Sequence, residues 1–180
     1  MKSTLILVLI CCSVYWETCG QSYSAAVGAA YGDDINTVGV HARGYYNFPN
    51  GRVCFGPEFT YFENKEEVDG NIREEISLWE INFNAHFIFE LSHKVGFYPV
   101  IGANFSHERE DIFVNNTFEE EETLQEWGVN AGAGFHYLIN PKWIIFSEWD
   151  HLFSDLSQNT FTIGIFYTFG KGLGVSEHKE

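Results

Sequence analysis

The residues of this chain that are able to do chemistry fall on alternate positions. Glu80, Asn82, Asn84 and His86 are spaced by two, as are His41 and Arg43, and Glu148 and Asp150. Glu58 stands in a run rich in aromatics. In an extended chain a spacing of two puts side chains on one face. Carboxylates, amides, imidazoles and a guanidinium that share a face can form a buried, ion-paired network, because buried charge needs a partner. They can instead line a narrow cation path, with Glu80, Glu148 and Asp150 at its mouth. Arg43 is the one strong cation among them, and Glu58 on the adjacent strand is its expected partner. His41, His86 and His136 match no compact metal-ligand spacing, so no metal or other cofactor is expected. Ser147 with His151, or Ser154 with His151 and Asp155, has the residue types of a nucleophile and its base. Ser147 falls on the face opposite Glu148, and Ser154 and Asp155 fall in a gap, so no enzyme activity is expected.

The elements that must position these residues are strands. The pattern reads strand, gap, strand about eight times, over 22–31, 37–48, 52–62, the run around 79–89, 95–107, 125–137, 143–152 and 160–169. The fourth run alternates most strictly. Trp79, Ile81, Phe83, Ala85, Phe87 and Phe89 face one way; Glu80, Asn82, Asn84 and His86 face the other. Strict period-2 alternation marks a sheet with unlike faces. Pro57 lies inside the third run and is read as a bulge at Gly56-Pro57.

The gaps differ in kind. Short turns such as Phe48-Pro49-Asn50-Gly51 and Asn140-Pro141-Lys142 alternate with the long acidic stretches 63–77 and 108–123. Trp79, Phe105 and Trp127 fall at the long-gap rim; Tyr46, Phe97, Tyr137, Trp143 and Phe169 fall at the short-turn rim. Short turns at one end, long loops at the other and two aromatic girdles are the pattern of a membrane-spanning barrel. The expected fold is all-β, an eight-stranded antiparallel up-and-down transmembrane β-barrel. A barrel of this size is filled by side chains. Period 2 does not distinguish inside from outside, so a secreted, lipocalin-like ligand carrier with its apolar face inward is the alternative.

Composition narrows the partners. A formal charge of −15 argues against nucleic acid, which needs a basic surface. The acidic loops suit a basic partner, or divalent cations bridging to an anionic surface such as lipopolysaccharide. Residues 1–20 read as a cleaved export signal: Lys2 precedes the apolar run Leu5 to Ile10, and Thr18 and Gly20 are small residues before a cut at Gln21. Cys11, Cys12 and Cys19 belong to that segment, which leaves Cys54 alone in the mature chain. Barrel residues are then 21–169, with a C-terminal tail over 170–180.

The last run, Thr160 to Phe169, carries Thr162, Gly164, Tyr167 and Phe169 at a distinctive spacing. With the segments from Phe97 to Phe105 and from Trp127 to Tyr137, it resembles the small bacterial outer-membrane barrels related to opacity antigens and the OmpA membrane domain. That resemblance implies a place in the bacterial outer membrane, in contact with its lipid and lipopolysaccharide. It also implies that the barrel-assembly machinery reads Thr162, Gly164, Tyr167 and Phe169 as the closing signal, and that the 170–180 tail lies in the periplasm. The expected role is a non-enzymatic, structural or surface-interaction one carried by the acidic loops. A narrow, porin-like, cation-selective channel is the rival.

Overall fold

Alternation commits almost all of the described chain to strands. The computed structural model describes residues 22–49, 51–115 and 117–169, and every regular element among them is a strand. The segment 1–20, with its three cysteines, and the 170–180 tail lie outside the described residues. The strands are β1 (Ser22–Gly32), β2 (Thr37–Asn47), β3 (Val53–Asp69), β4 (Ile72–Phe87), β5 (Phe89–Glu90), β6 (Val95–Val114), β7 (Thr117–Asn140), β8 (Trp143–Phe153) and β9 (Gln158–Phe169). All pairings are antiparallel, and β1 pairs with β9 from Tyr23↔Phe169 to Gly32↔Thr160, closing the sheet. β5 resumes β4 after one residue: His86↔Val100 is followed by Phe89↔Phe97 in unchanged register. The result is a closed eight-stranded up-and-down barrel.

The faces are sorted as lipid demands. Trp127 is 74% exposed and Phe83 52%, while Glu58, Glu80, Asn82, Asn84, His86 and Glu148 are buried inside. Aromatics outside and charge inside exclude the lipocalin-like arrangement. Outward rings touch one another around both rims. Trp79, Phe105 and Trp127 form a chain at one end, with centroids 5.6 and 5.0 Å apart. Trp143, Tyr167 and Phe169 form another at the opposite end, at 4.9 Å each. These girdles mark the membrane boundaries.

Two expectations are corrected. There is no bulge at Gly56-Pro57. The β2–β3 register is the same at Arg43↔Glu58 and Tyr46↔Phe55, and pairing merely lapses between them. Gly56 is needed there because a Cβ would overlap the Gly44 carbonyl. The register shift in β3 falls instead between Phe62 and Lys65. The second correction is larger. The stretches 63–77 and 108–123 are not loops. They continue the strands, with β3 paired to β4 as far as Asp69↔Ile72 and β6 to β7 as far as Val114↔Thr117. Gly70, at φ 63°, and Asn115, at φ 52°, supply the left-handed residues that these tight turns require. β4 also pairs with β6 up to Ile72↔Val114, and Asn115 N–H donates to the Asn71 carbonyl at 2.8 Å. Both hairpins therefore form one four-stranded sheet. It rises about 20 Å beyond the Trp79 girdle at roughly 3.4 Å per residue.

Candidate functional site

The interior is layered. Towards the short turns it is apolar: Tyr45, Cys54, Ile88, Tyr98, Val100, Ile144, Phe146 and Phe166 pack together. At the other end Ala30, Ile35, Phe62 and Leu78 form a second apolar layer, with Ile76 against it. The ion-paired residues lie between these layers, and a further polar set, Ser22, Ser24, Asn47 and Thr168, lies beyond the first layer at the short turns.

Arg43 is the centre of the polar layer. It reaches across the lumen and donates from Nη1 and Nη2 to both Glu148 oxygens, at 2.8 and 2.7 Å. Glu58, the partner expected from sequence, is the lesser contact at 3.7 Å. Glu58 instead accepts from the Tyr45 hydroxyl. Arg43 Nε donates to His41 Nε2 at 2.7 Å, so His41 carries its proton on Nδ1 and donates to Thr60 at 2.9 Å. Because Tyr45 gives its proton to Glu58, the His86 Nε2 contact 2.8 Å away must be a donation to Tyr45. The guanidinium also stacks over Phe146, 4.3 Å from the ring centre. Towards the loop end, Asn82 accepts from Asn104 and Asn130 at 2.6 and 2.8 Å, and Glu80 accepts from Gln158 at 2.6 Å.

Every inward residue expected from sequence faces this interior, although Asp150 and His136 are only half-buried. Asp150 has one oxygen without a hydrogen-bond partner. Tyr45 lies inward with His41 and Arg43, as its spacing predicts, whereas Thr60, Asn104 and Gln158 are further members that alternation alone does not single out. Gln158 precedes the run 160–169 expected from sequence, yet it begins β9. Asn104, the first residue of a glycosylation-like triplet, is buried in the lumen. The ligand-type atoms of Glu58, His86 and Glu148 lie within 4.8 Å of one another, but Arg43 and Tyr45 already satisfy the two carboxylates.

Two small spaces lie inside, among the described residues. One void of about 30 Å³ is lined by Tyr45, Cys54, His86, Tyr98 and His136 among others, and one of about 20 Å³ by Glu58, Glu80, Asn130 and Asp150 among others. Each is the size of a water or two. In the serine–histidine sets, His151 Nδ1 contacts Asn159 at 3.0 Å, and the Ser154 hydroxyl has no hydrogen-bond partner among the described residues.

The external sheet is the second candidate. Its strand 63–69 and strands 72–77, 108–114 and 117–123 carry most of the acids of 63–77 and 108–123. Glu108 and Glu110 are held above the ordinary carboxylate value by partial burial first. Glu110 and Asp34 then act on Glu108, and Glu74, Glu122 and Glu67 on Glu110. A carboxyl that holds its proton more tightly folded than unfolded opposes folding when ionised, and acidification relieves that cost. Asp33 has the opposite sign. The Asn159 side chain, then its backbone N–H, hold Asp33 below the usual 3.8, so its contribution is lost only as pH falls below that value. Amide-exchange protection across 108–114 is therefore expected to increase from pH 7 to about 5. Falling protection over that range would contradict the repulsion.

A sequence model described as an outer membrane protein beta-barrel domain matches residues 16–169. None of the curated proteins matches in sequence. Similar solved structures include Ail, the attachment invasion locus protein of Yersinia pestis, in complex with the heparin analogue sucrose octasulfate. It is 18% identical, with 83% of this chain and 99% of Ail covered at a TM-score of 0.62. A major outer membrane protein from Thermus thermophilus is 12% identical over 83% and 99%, at 0.62. The N-terminal β-barrel domain of Pseudomonas aeruginosa OprF is 16% identical over 83% and 98%, at 0.55. At these identities the structures share the fold. The closed barrel with its lipid-facing aromatics and the family match over 16–169 lead to one conclusion: the chain belongs to the outer-membrane β-barrel domain family and is a protein of the bacterial outer membrane.

Proposed function

We propose that this is a non-enzymatic surface barrel whose working element is the acidic sheet built from 63–77 and 108–123. The observation that carries this reading is the contrast between a packed interior and a projecting sheet. Apolar layers cross the lumen towards both ends, and the two voids found among its described residues are water-sized. The sheet stands outside the membrane, where a partner can reach it. Its chemistry sets the sign of that partner. Ail was solved with a polyanion. Here 63–77 has six acidic against two basic residues and 108–123 seven against one, so the favoured partner is basic, or an anionic surface such as lipopolysaccharide bridged by Mg²⁺ or Ca²⁺. Purified barrel is expected to bind oligolysine with an affinity that falls as salt rises. Barrel with both hairpins shortened should lose that binding. Equal binding by the shortened barrel would defeat the reading.

Assembly is the second part of the proposal. Thr162 is buried facing the lumen, and Gly164 lies against Phe146 and the β1 backbone, where a Cβ would crowd both. Tyr167 and Phe169 meet edge to face in the short-turn girdle. These four residues act as the closing signal read by the barrel-assembly machinery, and the rings also anchor the barrel at the interface. Changing both Tyr167 and Phe169 to Ala is expected to lower the yield of folded barrel in the outer membrane, read by heat-modifiable gel mobility. An unchanged yield would reject the role.

A further inference from the structure

The two faces of the external sheet are neutralised very differently. Registers identify the faces, because residues directly opposite in an antiparallel sheet point the same way and rows alternate. Leu78 is buried over the barrel mouth, so Ile72, Glu74 and Ile76 share its face. Their partners are Val114, Ile112 and Glu110 on β6, and beyond them Glu120 and Glu122 on β7. Lys65 and Glu67 on β3 belong to the same face. The other face carries Glu66, Glu75, Asp111 and Glu121.

On that other face each of these four carboxylates has an arginine in reach, two arginines serving four acids. Arg73 lies 3.6 Å from Glu66 and 3.2 Å from Glu75, and Arg109 lies 2.9 Å from Asp111 and 3.0 Å from Glu121. The mouth-side face differs. Lys65 pairs with Glu67 at 2.6 Å, and among the described residues no ion pair is formed by Glu74, Glu108, Glu110, Glu120 or Glu122. Glu67↔Glu74 and Glu110↔Glu122 even stand directly opposite each other, which is destabilising for like charges. Between these carboxylates runs an apolar stripe of Ile72, Val114, Ile112 and Ile76, leading down to Leu78. A bare cation would leave the stripe uncovered. A second copy of the chain would bring carboxylates against carboxylates.

We propose that this mouth-side face docks a cationic amphipathic peptide segment, whose Lys or Arg side chains meet Glu74, Glu110, Glu120 and Glu122 and whose apolar side chains cover the stripe. The proposal rests on the surface reading above and names the face and the partner's chemistry. The outer face serves as the structural support, with its carboxylates already paired within the sheet.

The test uses the full folded barrel in phosphatidylcholine nanodiscs, with empty nanodiscs subtracted. The probes are an amphipathic Lys/Leu peptide, oligolysine with the same number of lysines, and Ca²⁺ alone. One variant combines Glu74→Gln, Glu110→Gln and Glu122→Gln; the other combines Glu66→Gln, Glu75→Gln and Glu121→Gln. The first is expected to weaken the Lys/Leu peptide about tenfold or more, from three lost charge contacts, and the second less than about twofold. Oligolysine should bind the native protein at least about tenfold more weakly than the Lys/Leu peptide, since it leaves the stripe exposed. Equal weakening by both variants would overturn the assignment of the face. So would equal affinity for oligolysine, or Ca²⁺ alone excluding the peptide. If oligolysine binding depends on the hairpins but not on either face in particular, only this inference fails. If it survives shortening of both hairpins, the surface reading fails as well.

Discussion

Arg43→Ala is expected to destabilise the folded barrel by about 3–5 kcal/mol, the scale seen when one partner of a buried ion pair is removed. The substitution strips both Glu148 oxygens of their donors and removes the cation 3.7 Å from Glu58. It also leaves His41 Nε2 without its donor and uncovers the Phe146 ring. Neither carboxylate can turn to bulk water without repacking, because both are buried in the lumen. Adding Glu148→Gln to Arg43→Ala should therefore recover part of the loss. The double-mutant cycle of Arg43 with Glu148 should show stronger coupling than the cycle of Arg43 with Glu58. Urea unfolding of the barrel in lipid, followed by tryptophan fluorescence, reads these differences. Additive effects for Arg43 and Glu148 would show that the crossing pair contributes nothing specific.

Phe146→Ala is expected to cost a similar amount, about 3–5 kcal/mol. Phe146 is almost wholly buried, its ring lies 4.8 Å from that of Phe166, and the Arg43 guanidinium lies over it at 4.3 Å. Its loss creates a cavity in the layer that seals the short-turn end. The layer of Ala30, Ile35, Phe62 and Leu78 still closes the opposite end, so the variant should be less stable yet remain non-conducting. Phe146→Leu, which keeps most of the volume, should cost much less. Equal losses from the Ala and Leu variants would show that packing at this site is not what stabilises the layer.

Much of the barrel was legible in the sequence because its two faces meet different solvents. The alternation from Trp79 to Phe89 could be read without any knowledge of neighbours. What alternation does not carry is depth along the strand. Tyr98, Ile144 and Phe146 are inward and apolar, and in sequence they only weaken the pattern. Nothing local says that they close an end. Partnering across the lumen is equally hidden. Adjacent strands suggest Arg43 with Glu58, whereas Arg43 with Glu148 joins residues 105 apart, and only the tilt and stagger of the closed barrel bring them together.

The hairpins were misread for a different reason. Runs such as Glu119-Glu120-Glu121-Glu122 have poor strand propensity and look like solvated loop. The ladders from β4 to β6 override that preference. A signal was nonetheless present: Asp69-Gly70-Asn71 is tight-turn chemistry between Val68 and Ile72, and Ile112 and Val114 lead into Asn115 in the same manner. Pro57 misled in the opposite direction. An imino residue within a strand suggested a bulge, but the barrel kept its register and gave up local pairing beside Gly44 and Tyr45 instead.

Ion conductance across a planar bilayer tests most directly whether the external sheet, rather than the lumen, is the working element. Purified barrel with the interior described above is expected to give no stable channel, with or without the 63–77 and 108–123 hairpins. Stable, cation-selective channels that persist unchanged when both hairpins are shortened would contradict the account and make Glu80, Glu148 and Asp150 the lining of a pore.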